Sequence, residues 1–165
     1  CIIGGGSGGL SLAAGAVQVG ARVVLFEGGQ MGGDCLNSGC VPSKALLAAA
    51  KAAYLANGNA AMGITNNPPN IDFAAVKAHV ADVIAKIEPH DSVARFEALG
   101  VTVVREMAHF TGPRAVASAT HQVHAKYIVI ASGSQPMVPP IPGLDHTDFF
   151  SNETISLIGK SLTIC

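Results

Sequence analysis

The chain has 165 residues, 49% hydrophobic and only 13% charged, with 19 glycines and no tryptophan, so one domain with a substantial core is expected. Ten basic residues against eleven acidic ones leave a formal net charge of −1, which excludes a basic field for nucleic acid and, because the charges are scattered, a charged tail. Lys51 interrupts the most apolar helix candidate well short of the roughly 18 to 20 residues a membrane helix needs, so no membrane span is expected and the cytoplasm is the expected compartment.

Residues 1 to 4 read as a short apolar strand, followed by "GGGSGG" and an alanine-rich helix from about Gly8 to Val19, ended by Gly20. "ARVVLFE" is a second strand, and its unbroken apolar run predicts burial on both faces. Residues 28 to 39 form a glycine-rich loop, and a helix is predicted from about Gly39 to Ala56. After the polar loop "TNNPPN", Asn70 or Asp72 can cap a long helix reaching Leu99 and closed by Gly100, with a break near Glu88 because Pro89 cannot sit inside it. "VTVVRE" is a strand, "AHFTG", "AVASA" and "HQVHA" form a meander, and "YIVIA" is a buried strand ending at "SGS". "QPMVPPIPG" is an extended connector, and "SNETISLI" a short helix capped by Ser151 or Asn152. The order predicts an α/β fold: a Rossmann-like domain with a parallel sheet, flanking helices and a small antiparallel meander. The chain opens without methionine inside a strand and stops at "KSLTIC", which reads as the start of another, so a piece of a longer polypeptide is expected.

Gly4, Gly6 and Gly9 fit G-x-G-x-x-G between a strand and a helix, with a second strand following. Gly4 would make the tight turn, Gly6 would admit a pyrophosphate and Gly9 would let the helix approach the strand. The helix start, at Ser7 and Gly8, offers amide hydrogens and a positive dipole end to phosphates. Glu27 ends the second strand, where a carboxylate can take ribose hydroxyls and would repel a 2′-phosphate. A glycine turn that merely packs a helix would leave that acid unexplained. This much predicts a dinucleotide site without separating FAD from NAD.

Cys35 and Cys40 lie in "GGDCLNSGC". In a regular helix positions i and i+5 are roughly 8 to 9 Å apart, beyond the limit of about 7 Å for a disulfide, so the pair can close only if the segment is not regular helix. Asn37 and Gly39 supply that freedom, and Pro42 suits the first turn of a helix starting at Cys40, whose dipole favours a thiolate. Dithiol exchange competes here with a structural disulfide, a zinc site and two inert thiols. Zinc prefers C-x-x-C spacing with further ligands, and no metal site is expected. Cys1 and Cys165, at strand ends, read as inert.

Together "GGGSGG", Glu27, "GGDCLNSGCVPSKALL" and "ASGSQPMVPPIPGL" resemble, in order and across essentially the whole chain, the class I pyridine nucleotide–disulfide oxidoreductases, in the branch of dihydrolipoamide dehydrogenase and mercuric reductase. "CVPSK" disfavours the glutathione branch, where a lysine commonly replaces Ser43. The resemblance implies that the glycine site holds FAD, lined also by Gly28, Gly33, Asp34 and Cys35. It makes Cys40 the flavin-side thiol, Cys35 the interchange thiol that attacks substrate, and Lys44 a cation near the reactive flavin nitrogen. Ser132, Gly133 and Ser134 match a turn closing over the cofactor, and Ala108 a backbone contact to adenine. Residues 1–142 would then be the N-terminal portion of the FAD domain. Residues 143–165 would be a connector and the first strand of an NAD(P)-binding domain, where NAD(H) or NADP(H) would bind. The implied partners are a small disulfide, dithiol or metal-ion substrate and, in the parent enzyme, a second subunit of a homodimer. Asp34 and Ser38 depart from the family pattern, which commonly has threonine and valine there; a carboxylate at 34 near a pyrophosphate should repel it unless it turns away or meets a cation. The six histidines match no family motif and read as surface or core residues. A FAD oxidoreductase with passive cysteines and a non-catalytic nucleotide-binding module stand as alternatives.

Overall fold

A computed structural model describes residues 1–155. Four parallel strands form the central sheet in the order β5-β2-β1-β9: β1 (Ile2–Ile3), β2 (Val23–Phe26), β5 (Val101–Val104) and β9 (Val129–Ile130). Register is set by Ile2 opposite Leu25 and Val129, and by Val23 opposite Val101. Helix α1 (Ser7–Gln18) crosses from β1 to β2. It ends where Gly20 turns with φ +80°, a conformation that costs glycine least. Its buried Leu10 and Ala13 meet Ile2, Val23, Leu25, Phe96 and Val101 in the main core. A second cluster, Phe26, Val104 and Val116, joins the sheet to the antiparallel meander β6 (His109–Gly112), β7 (Ala115–Ala117) and β8 (Gln122–His124). Full burial of a side chain such as Phe26 is worth about 1.5–3 kcal/mol.

The stretch from 28 to 39 is only partly loop: α2 (Gly33–Asn37) forms within it, started by Gly32 and Gly33 at φ +85° and +57°. Helix α3 (Cys40–Ala56) follows after Gly39. A hairpin absent from the sequence reading, β3 (Gly58–Asn59) with β4 (Ile64–Thr65), then leads to α4 (Phe73–Ile87). Asp72 Oδ1 caps α4 by accepting from the amides of Ala74 and Ala75 at 2.9 and 3.1 Å. The break at Pro89 is a 3₁₀ turn over Glu88–Asp91, after which α5 (Val93–Ala98) starts on a Ser92 cap. The "YIVIA" strand departs from expectation: Val129 and Ile130 are exposed, and among the described residues β9 stands at the edge of the sheet with β1 as its partner. Residues 151–155 form a turn in which Ser151 Oγ accepts from the Glu153 amide at 3.3 Å. The rest of the expected helix there, the "KSLTIC" strand and Cys165 lie outside the described residues. No helix among the described residues is long and apolar enough to cross a membrane.

Candidate functional site

In a parallel sheet the carboxyl ends of the strands open onto one edge, and ligands bind in that crevice. Here those ends are followed by Gly4–Gly9, by Glu27–Gly29, by Arg105–Ala108 and by Ala131–Ser134. The topology thus gathers on one edge residues spread over most of the chain.

The glycine loop is packed without spare room at Gly4 and Gly9. A Cβ on Gly4, whose φ is +111°, would stand 2.1 Å from the Ala131 carbonyl oxygen, and one on Gly9 would stand 1.9 Å from the Gly4 oxygen. Gly6 is the N-cap of α1 and makes no side-chain cap bond, while Ser7 and Gly8 are exposed and a Cβ on Gly8 would meet nothing. The amide end of α1 is therefore approachable from solvent, which suits a pyrophosphate. Glu27 is anchored at both oxygens: Oε2 accepts from the Gly5 amide and Oε1 from the Gly29 amide, each at 2.5 Å. Each carboxylate oxygen keeps a further lone pair for a ribose hydroxyl. Arg105 donates to the Gly29 carbonyl, bracing the same loop. The residues present fit an adenine dinucleotide.

Gly28 lies against Met107, since a Cβ there would be 2.1 Å from the methionine sulfur. The next residue, Ala108, is half-buried against the Phe26–Val104–Val116 cluster. Ser132, Gly133 and Ser134 are exposed, at the turn that begins against Gly4, with Gly133 at φ +71°. Sequence reasoning passed over Gly5, Gly29, Gly32 and Arg105, whose contacts are made by backbone atoms or across 76 residues.

The cysteine segment docks on this loop. The Gly32 amide donates to the Gly5 carbonyl at 2.9 Å, and a Cβ on Gly33 would be 2.7 Å from the Gly6 Cα. Asn37 Nδ2 ties α2 back to the carbonyls of Met31 and Gly33 at 3.1 and 2.8 Å. The chain breaks at Gly39 (φ −107°, ψ −110°), so Cys35 ends up beside the start of α3 rather than most of a turn and a half away along one helix. Both cysteines are free; Cys35 is half-buried and Cys40 exposed. A hydrogen bond with the Cys40 side chain, then burial and the charge of Cys40, push the Cys35 thiol up; the Cys40 backbone amide and the Lys44 ammonium oppose that rise. Lys44 is exposed one turn into α3, close enough to act on Cys35. Beyond Ser38, an apolar groove of about 490 Å³ runs between α3 and α4, with Pro42, Leu46, Phe73 and Ile84 in its walls.

The fold thus sets a Rossmann-type crevice beside a segment carrying two cysteines docked on its glycine loop. The chain belongs to the pyridine nucleotide-disulphide oxidoreductase family, whose pattern matches residues 1–159. It is 32% identical over 159 residues to a mercuric reductase of Bacillus cereus, covering 96% of this chain and 25% of that protein. It is 36% identical over 164 residues to a dihydrolipoyl dehydrogenase of Synechocystis, covering 94% and 34%. The chain therefore spans a quarter to a third of the length of these relatives. A solved structure of the HOCl-induced flavoprotein disulfide reductase RclA from Escherichia coli shares the fold, with TM-score 0.68 at 27% identity, over 87% of this chain and 30% of that one. Its Cu(II) complex superimposes with TM-score 0.76 at 24% identity, over 96% and 33%. The family is one of FAD-dependent oxidoreductases that use NAD(P)H.

Proposed function

We propose that this chain is the FAD-binding portion of an NAD(P)H-dependent flavoprotein disulfide reductase, with Cys35 and Cys40 as its redox pair. The observation that carries the reading is the docking of the cysteine segment against the glycine loop of the crevice, with the chain break at Gly39 between Cys35 and the start of α3 at Cys40. Bound FAD would supply a two-electron reductant for the Cys35–Cys40 disulfide.

The chain's own residues divide the work. Gly4, Gly6, Ser7, Gly8 and Gly9 hold the pyrophosphate on the amide end of α1. Glu27 accepts from ribose hydroxyls, and its two backbone anchors fix its direction. Gly28 and Ala108 would border the adenine, Gly33 would let Cys35 approach, and Ser132, Gly133 and Ser134 would close over the cofactor. Asp34 Oδ1 is engaged by the Ser38 hydroxyl and the Asn152 amide and not by a cation. Lys44 favours negative charge at Cys35 and would do so on a reduced flavin beside it. The reduced pair gives two electrons and two protons to its acceptor as Cys35, the interchange thiol, attacks and Cys40 resolves the product by closing the disulfide. The acceptor class is a small disulfide or a thiol-bound metal ion. Residues 1–142 form the FAD portion, 143–165 lead into an NAD(P)-binding domain, and the parent enzyme is a cytoplasmic homodimer.

Anaerobic reductive titration of the FAD-loaded chain tests this. Uptake of four electrons per flavin is expected, falling to two in Cys35→Ser and in Cys40→Ser. Uptake of two electrons by the wild-type chain would place the cysteines outside the chemistry. Failure to retain any FAD would point to a non-catalytic nucleotide-binding module.

A further inference from the structure

Asp34 and Ser38, the two positions where the cysteine segment departs from its family's pattern, are bonded to each other. Ser38 Oγ donates to Asp34 Oδ1 at 2.6 Å, and Asn152 Nδ2 donates to the same oxygen at 3.0 Å. A valine at 38 has no donor, so the common threonine–valine combination cannot make this link. The backbone repeats the closure: the amides of Ser38 and Gly39 both donate to the Asp34 carbonyl, at 2.9 and 2.5 Å. A Cβ on Gly39 would lie 2.6 Å from Asp34 Oδ2, so glycine there is what admits the carboxylate. Asp34 immediately precedes the first cysteine and Gly39 the second. The side-chain bond therefore closes the last turn of α2 just after Cys35, and the Gly39 amide carries the same closure to the residue before Cys40.

We propose that Asp34 and Ser38 form a clasp that sets the dithiol–disulfide equilibrium of Cys35 and Cys40, with Asp34 as a positioning residue and Asn152 fastening the clasp to the chain beyond the connector. The proposal rests on the reading of these cysteines as the redox pair. Closing a disulfide orders the residues it encloses, and a segment already ordered loses less conformational freedom on closure. The clasp thereby raises the effective concentration of each thiol at the other and favours the disulfide.

Equilibration of the full chain with a glutathione redox buffer, read as alkylated thiols by mass, measures this without flavin. The Cys35 thiolate attacks oxidised glutathione and releases one glutathione thiolate. The Cys40 thiolate then displaces the second, so two electrons pass to glutathione and the two thiol protons end on the released glutathione. Asp34→Ala and Ser38→Ala should each lower the equilibrium constant for the disulfide about fivefold. The double variant should match either single one, and Asp34→Asn, which keeps an acceptor oxygen for Ser38, should stay near wild type. Circular dichroism and the thermal midpoint confirm that each variant is folded, and Ser38→Ala tests the clasp from its other half if Asp34→Ala is not. An unchanged constant in both alanine variants, additive losses in the double, or an Asp34→Asn as weak as Asp34→Ala would overturn the clasp and leave the redox pair standing. A wild-type chain that forms no Cys35–Cys40 disulfide in any buffer would overturn both.

Discussion

Around β1 and β2 the chain is packed backbone against backbone, whereas at β9 it presents apolar side chains to solvent. Gly9 lies against the Gly4 carbonyl, Gly33 against the Gly6 Cα and Gly4 against Ala131, contacts that no other residue could make unchanged. On the other side Ile130 is 66% exposed, and Met137, Val138 and Ile141 follow it into solvent. The meander resembles this second region in being fastened by a few side chains: Glu106 accepts from the Thr120 amide at 3.0 Å and from its hydroxyl at 2.5 Å. The crevice owes its shape to steric exclusion written into local sequence, and the periphery to separate pins that can be removed one at a time.

Three substitutions break or sharpen that contrast. Gly9→Ala should have the largest effect, about 3 kcal/mol lost in urea denaturation together with loss of FAD retention, since the new methyl meets backbone and not a movable side chain. Glu106→Gln should act through pH. Hydrogen bonds from the Ser118 and Thr120 hydroxyls and the Thr120 amide pull this carboxyl from 4.5 down to about 2. Its folded value is the lower one, so its contribution is complete above about pH 4.5 and lost as pH falls through 2. Thermal midpoints taken across that window should fall more steeply for wild type than for Glu106→Gln; parallel curves would remove the pin from the account. Ile130→Thr should change stability by no more than about 0.5 kcal/mol, the range of surface substitutions. A loss well above that would mean the far edge is packed after all.

The same division explains what could be read in advance. Gly4, Gly6, Gly9 and Glu27 were legible because strand, turn, helix and acid follow one another within 27 residues. The Asp72 cap and the break at Pro89 were legible for the same local reason. The β3–β4 hairpin was not, since it turns on Gly58 and Gly63 at φ +77° and +74° with only two residues in each strand. α2 was hidden by its glycines, which start a helix here by taking the left-handed conformation that ordinarily ends one. "YIVIA" has the unbroken apolar run of a central strand, but sheet order, not composition, decides which strand stands at the edge. In the site, the bond between Asp34 and Ser38 went unread because it needs the helical spacing of α2, and that helix was itself hidden by its glycines.

The amide of Cys40 opens α3 and also acts on the sulfur of Cys35. Fraying of that first turn would therefore remove one of the influences that oppose the rise of the Cys35 thiol. Anything that lengthens or loosens the helix start would change the surroundings of the Cys35 sulfur without touching either cysteine side chain.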